Sequence, residues 1–177
     1  MRHNIKIYED MNTDDPRRFY PEYFPISLNE PLKTNFVILE SPEEIRKGLM
    51  SLVSFEEGDL IAQCVGVALN FQTLHSLERT AGQYLHDPFW AGYIIHSCSP
   101  NSYLNMKDFT LHALKKISSF SLITIDYEIT EKNLYQGFTC TCGSPNCKGW
   151  IEGREYRDNL SNKDATEDHI EKTNKNT

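Results

Sequence analysis

Hydrophobic and polar positions along this chain fall in short runs, not at a helical period. TNFVILES (residues 34–41) is apolar and rich in β-branched and aromatic side chains, and it predicts a strand. Ser41-Pro42-Glu43-Glu44 has the signature of a helix start, with room for a turn or two before Gly48. LMSLVSF and LIAQCVGVAL flank the turn Glu57-Gly58-Asp59 and predict two more strands. FTLHALKKI (109–117) and FSLITIDYEI (120–129), linked by Ser118-Ser119, predict another two. No helical pattern longer than about three turns is present. Short strands broken by Gly, Pro, Asn and Asp predict a mainly β domain with few short helices.

Composition adds limits to this picture. A length of 177 residues fits one domain, and 39% apolar with 24% charged residues is enough for a core. Residues 1–34, rich in Pro, Tyr and Asp, read as an N-terminal arm on the domain, with the core expected over 35–137. A segment over 138–152 carries the cysteines, and 153–177 reads as a polar, flexible tail. Eighteen Lys and Arg against 25 Asp and Glu give a net charge of −7. That argues against direct nucleic-acid binding, which needs clustered positive charge, and suits a basic peptide partner. No stretch approaches a membrane span, and MRHNIKIYEDMNTDD lacks an apolar signal core, so the expected location is cytoplasmic or otherwise intracellular. The Asn159-Leu-Ser sequon then reads as chance. There is no internal repeat, no GxGxxG, no Walker loop and no Gly-x-Ser-x-Gly.

The cysteines carry the first chemistry. In a reducing compartment, clustered thiols bind metal more often than they form disulfides. FTCTCGSPNCKGWI (138–151) places Cys140, Cys142 and Cys147 in a C-x-C-x4-C spacing. Three soft ligands leave a tetrahedral zinc ion one short, and the candidates for a fourth are Cys64, Cys98 or a histidine. Cys64 alternates with apolar residues and reads as core packing. Cys98, beside Pro and Asn in HSCSPN, sits in a loop able to approach a metal and is the expected fourth ligand. Four thiolates leave no open position for water, so such a site is structural, not catalytic.

Three pieces occur in order: HSCSPN (96–101), LITIDYEI (122–129) and FTCTCGSPNCKGWI. Together they resemble the SET-domain family of S-adenosylmethionine-dependent protein lysine methyltransferases with a post-SET zinc segment. The resemblance covers about 46–151. It implies a β-clip-like SET fold with a knot-like active site threaded by HSCSPN and a strand through Tyr127. It implies that Cys98 joins Cys140, Cys142 and Cys147 on one zinc ion. It also implies a post-SET segment that covers the cofactor and helps to build the substrate lysine channel.

Carried over by motif, Tyr127 matches the family's catalytic tyrosine. His96 and Phe138 match residues beside the cofactor, and Ile95 holds the position of a cofactor-contacting asparagine. IRKGLMSLVSFEEGDLI resembles the family's opening motif, so Lys47, Gly48 and Leu49 would present backbone to the methionine end of the cofactor. Asn101 would tie the knot, and Trp150 would pack over the adenine or channel. Ile125 stands where the family often has an aromatic that influences how many methyl groups fit. Arg46 replaces the usual first glycine, and Gly92 stands where many members have Arg. His75, His86 and His112 are isolated and read as structural or surface residues, while Tyr84 lies in the variable insert and either lines the site or caps the insert. The implied function is methyl transfer from S-adenosylmethionine to a lysine amine of a protein substrate. The alternatives are a weakened SET scaffold acting as a binding module, and methylation of a small amine or peptide.

Overall fold

A computed structural model describes residues 15–41 and 46–161. In chain order the strands are β1 (Phe36–Ser41), β2 (Arg46–Ser51), β3 (Leu60–Gln63), β4 (Val67–Leu69), β5 (Ser76–Thr80) and β6 (Gln83–His86). They continue with β7 (Ile95–His96), β8 (Ser102–Asn105), β9 (Thr110–Ala113), β10 (Thr124–Ile125), β11 (Phe138–Thr139) and β12 (Trp150–Ile151). A 3-10 turn spans Ala91–Tyr93, α1 spans Tyr127–Thr130, and residues 154–161 are helical.

These strands make several small sheets. β1 and β2 pair antiparallel with Phe36 opposite Ser51. Three-stranded sheets run in the orders β3-β9-β8 and β4-β6-β5. β11 and β12 form a short antiparallel ribbon, with Phe138 opposite Ile151. The strand expected over 34–41 is β1; the helix start read at Ser41–Glu44 lies largely on 42–45, outside the described residues.

Two expected strands are interrupted, each for a local reason. LIAQCVGVAL divides into β3 and β4, which join different sheets. Gly66 sits at the break, where a Cβ would come 2.5 Å from the His86 carbonyl oxygen. FSLITIDYEI leaves the extended conformation at Asp126, whose side chain accepts a hydrogen bond from the Glu128 N–H at 3.0 Å. Such an N-cap starts a helix, so Tyr127 opens α1 instead of lying in a strand. The helical turn at 154–161 also falls where the sequence reads as polar tail.

The core gathers between the sheets. Trp90, Phe36, Leu49, Leu111, Ile117 and Ile123 are fully buried. Phe36 meets the edge of Trp90 at 5.2 Å and stacks on Phe55 at 6.1 Å. Burying side chains of this size stabilises by about 1.5–3 kcal/mol each. Residues from the first 34 add to this core, with Tyr20 and Phe24 both buried. The Tyr20 hydroxyl donates to Asp87 Oδ2 at 2.7 Å and accepts from the Val65 N–H at 3.0 Å. Arg18 and Glu30 form an ion pair with side chains only 3% and 6% exposed.

The threading that positions the site lies at β7 and β10. These two-residue strands pair in parallel, with Thr124 opposite Ile95 and Ile125 opposite His96. Asn101 fastens them from the side. Its amide nitrogen donates to the Leu122 carbonyl at 2.7 Å, and its amide oxygen accepts from the Thr124 N–H at 2.9 Å. Two residues per strand form too short a ladder to hold alone, so these side-chain bonds set its register.

Candidate active site and cysteine cluster

A cavity of about 340 Å³ opens between β5, the turn at Ala91–Tyr93, α1 and the segment leading into β11. Its walls include Lys47, Leu77, Ile94, Tyr127, Glu131 and Phe138. Tyr127 is tied at both ends. Its N–H donates to His96 Nδ1 at 3.1 Å, and its hydroxyl donates to the Ile94 carbonyl at 2.6 Å. Its ring lies 5.4 Å from His96 and 6.1 Å from Phe138. Burial, and then the charge of Glu131, raise the phenol well above its ordinary range, so it is a neutral hydroxyl at neutral pH.

A backbone N–H only donates, so His96 Nδ1 is an acceptor and Nε2 carries the ring proton. That nitrogen lies 3.3 Å from Cys98 Sγ. Burial lowers the histidine, with Asp126 opposing, and keeps the ring neutral at neutral pH.

The sulfurs of Cys98, Cys140, Cys142 and Cys147 all lie within 4.8 Å of one another. Cys98 and Cys140 are 3.9 Å apart. A tetrahedron with 2.3 Å arms has edges of about 3.8 Å, so the donor set fits a tetrahedral zinc ion. Burial pushes the Cys140 thiol up to about 12, while backbone N–H bonds draw Cys142 down to about 6. Cys64 is buried at 4% exposure and is not one of the four. The local turns come from Gly143 and Gly149, both at positive φ (71° and 77°).

Comparison with known proteins places this architecture. No family model matches the chain. The methyltransferase flvH of Aspergillus flavus is 37% identical over 65 residues, 36% of this chain and 36% of its own length. The H3 lysine-36-specific histone-lysine N-methyltransferase of Saccharomyces cerevisiae is 36% identical over 77 residues, 40% of this chain but 10% of that protein. The matches to these curated relatives thus span well under half of their length. KRYPTONITE, solved with mCHH DNA, an H3(1–15) peptide and SAH, superposes with a TM-score of 0.54 over 66% of this chain and 29% of that one, at 19% identity. The methyltransferase domain of human SETMAR superposes with a TM-score of 0.52 over 67% of this chain and 58% of that one, at 16% identity. The chain has the SET-domain fold.

Within the SET fold, the residues expected at the cofactor separate into two groups. Lys47 and Phe138 line the cavity. Gly48, Leu49, Ile95 and His96 are not among its lining residues. Leu49 is fully buried, and a Cβ at Gly48 would come within 3.2 Å of Leu122 Cδ2. Ile125 is 1% exposed in the core and does not line the cavity, and neither do Tyr84 and Trp150.

Other wall residues carry no sequence motif. His75 lines the cavity, with Nδ1 3.1 Å from the Gly92 carbonyl oxygen and its ring 5.1 Å from Tyr93. Gly92 explains itself: a Cβ there would lie 2.5 Å from the Asp87 carbonyl and 2.7 Å from His75 Cβ. The arginine common at this position in SET domains has no room against this backbone. Glu131, four residues after Tyr127, is also a wall residue that the sequence does not mark.

Lys148 joins the cysteine loop to α1. Its Nζ lies 2.9 Å from Asp126 Oδ2 and 2.8 Å from Glu128 Oε2. Arg157 adds a 3.0 Å pair to Glu128 and donates to the Trp150 carbonyl. The two carboxylates beside Tyr127 are thereby held from the cysteine loop and the helix at 154–161.

Among the described residues, no helix is long and apolar enough to cross a membrane. The KRYPTONITE structure contains DNA, so the charge-based expectation of no nucleic-acid contact finds no support among these folds.

Proposed function

We propose that this chain transfers methyl groups from S-adenosylmethionine to a lysine side-chain amine of a protein, with one structural zinc ion on Cys98, Cys140, Cys142 and Cys147. The observation that carries this reading is the Tyr127 hydroxyl, fixed on the wall of an aromatic-lined cavity by its bond to the Ile94 carbonyl. The histone-lysine methyltransferases among its relatives support the choice of acceptor.

S-adenosylmethionine supplies an electrophilic methyl group on a cationic sulfur. The rings of Tyr93, Tyr127 and Phe138 around the cavity suit a cation, since aromatic faces attract positive charge. Lys47, Gly48, Leu49, Ile95, His96 and Phe138 are the residues we assign to the cofactor side, with the middle four forming the layer behind the wall.

The chemistry left to the chain is positioning and control of charge. Holding two reactants in line is worth up to about 7–11 kcal/mol. The Tyr127 proton is committed to Ile94, so its oxygen lone pairs remain free to accept from an amine N–H. Apolar walls at Leu77, Ile94 and Leu134 disfavour the ammonium form of the acceptor and exclude water. We assign substrate choice to the insert at 70–95, the N-terminal arm and the polar tail at 153–177, around a SET core at 35–137 and a post-SET segment at 138–152.

Incubation with tritiated S-adenosylmethionine, core histones and a cell lysate tests this. The expected result is protein labelling that falls about 100-fold or more in Tyr127→Phe, while cofactor affinity by calorimetry stays the same. Equal labelling by both proteins overturns the mechanism. No cofactor binding at millimolar concentration favours a scaffold that only docks a partner.

A further inference from the structure

Glu131 is the one acidic side chain among the described residues that line the cavity. It closes α1, with its N–H donating to the Tyr127 carbonyl at 2.7 Å. It is 4% exposed, and both carboxylate oxygens accept the Glu78 N–H, at 3.2 and 3.0 Å. No cation among the described residues forms an ion pair with it. The nearby Arg154 directs its Nη1 to the Ile129 carbonyl instead.

This is an expensive way to receive a backbone N–H and the Thr130 side chain. A glutamine amide oxygen would accept the same bonds without burying a charge. What a carboxylate offers beyond glutamine is a partner for a cation or a resting place for a proton. The neighbouring charges favour the second use. Glu78 on β5, itself 8% exposed, adds like charge; the Glu78 N–H, the Thr130 side chain and Arg154 oppose, and burial outweighs them. Lys132 next to it uses its N–H on Glu78, while Tyr127, His75 and Lys47 face the same cavity. Burial first, and then Glu78, push the Glu131 carboxyl up to about 8. Proton transfer is fastest to a base poised near the working pH.

We propose that Glu131 is the proton acceptor for the incoming amine: its carboxylate receives the alkylammonium that enters beside Tyr127 and takes one proton from it. This rests on the methyl-transfer reading above. The step balances as ammonium and carboxylate giving neutral amine and carboxylic acid. The amine lone pair then forms the nitrogen–carbon bond while the carbon–sulfur bond of the donor breaks, and the sulfur keeps that electron pair. The proton on Glu131 returns to water when the site empties. Glu131 therefore supplies what Tyr127, with its proton held by Ile94, does not.

The direct test uses the wild-type protein and n-butylamine, a minimal lysine side chain that is an ammonium at neutral pH. Calorimetry at pH 7 in buffers of differing ionisation enthalpy should show about one proton released per bound ammonium, with affinity rising up to about tenfold per pH unit below 8. No proton release, and affinity flat between pH 6 and 8, overturn the proposal. A second test compares wild type, Glu131→Gln and Glu131→Asp on histone H3 and on H3 carrying aminoethylcysteine for lysine, whose amine is more acidic. Glu131→Gln should lose tenfold or more on lysine, regain most of it on the analogue, and lose the rise in rate through pH 8. An equal loss on both acceptors, or an unchanged pH profile, refutes the role. The two readings separate cleanly. Proton-linked ammonium binding without any labelling sinks methyl transfer alone, whereas full labelling by Glu131→Gln at every pH sinks only this inference.

Discussion

The link between the cysteine loop and α1 should be worth far more than an ordinary surface ion pair, and Lys148→Met measures it. Lys148 reaches Asp126 and Glu128 at 2.9 and 2.8 Å. The lysine side chain is 30% exposed, but the carboxylates are 9% and 4% exposed. Removing the cation leaves Glu128 with Arg157 and leaves Asp126 without its cation. Hydrogen bonds to charged groups contribute about 1.5–3 kcal/mol each, and a stranded buried carboxylate costs more than the bond alone. Partial solvent screening of Lys148 and the surviving Arg157 pair reduce this, so the expected loss is about 2–3 kcal/mol.

Lys116→Met is the matched control. Its pair with Glu56 is shorter, at 2.6 Å, but the partners are 65% and 66% exposed. Such pairs contribute about 0–1 kcal/mol. Urea unfolding should therefore separate the two variants by about 2 kcal/mol with an unchanged denaturant slope. Lys148 also carries a pH signature. Burial lowers it, but bonds to Glu128 and Asp126 outweigh this and raise it above the ordinary 10.5. That contribution is fully present below 10.5 and is lost as pH climbs through the higher folded value. Equal costs for the two variants would refute the argument that burial, not distance, decides the strength of these pairs.

Three further outcomes follow from the same geometry. Gly92→Ala should cost about 2–4 kcal/mol in urea unfolding, because its Cβ meets the Asp87 carbonyl at 2.5 Å. Gly82→Ala, at φ 75° with nothing within 4 Å, should cost only about 1–2 kcal/mol. Glu131 has a folded value of about 8 against an ordinary 4.5, so its contribution is present below 4.5 and lost as pH rises through 8. Wild type should lose on the order of 3–5 kcal/mol over that window, and Glu131→Gln should not, by unfolding at pH 5 and 9. Elemental analysis should find one zinc per chain. Cys98→Ser and Cys142→Ser should both lose it, and strong chelation of the wild type should lower the melting temperature.

The cysteine trio was legible because it is local, whereas Cys98 came from the HSCSPN loop and the family resemblance. Cys140, Cys142 and Cys147 fall within eight residues, and their turns need only Gly143 and Gly149. Strands such as β1 were legible for the same reason, since an apolar β-branched run states its own conformation. Asp126 misled the reading of its segment. Its capping bond to the Glu128 N–H ends the strand, but the apolar pattern runs past it to Ile129. The cavity walls were least legible. His75, Gly92, Glu131 and Tyr135 arrive from separate segments, and each looks ordinary in its own neighbourhood. Gly92 makes the point: its need is set by the Asp87 carbonyl and His75, and neither contact can be inferred from the residues beside it.

Tyr127 is the point where the separate parts of the molecule meet. Its N–H is held by His96, whose other ring nitrogen faces Cys98 Sγ. Its flanking carboxylates are held by Lys148, whose N–H donates to the same sulfur at 3.3 Å. Cys98 thus touches the phenol's support by two routes, one through an imidazole and one through a lysine. Among the described residues, Cys142 makes no comparable bond to α1 or His96. A metal ion on the four sulfurs would do more than stabilise a loop. By fixing Cys98 it would set the imidazole, the helix start at Asp126 and, through both, the angle at which the phenol meets the cavity. On the proposed reading, that is a physical reason for a structural metal to sit so close to Tyr127.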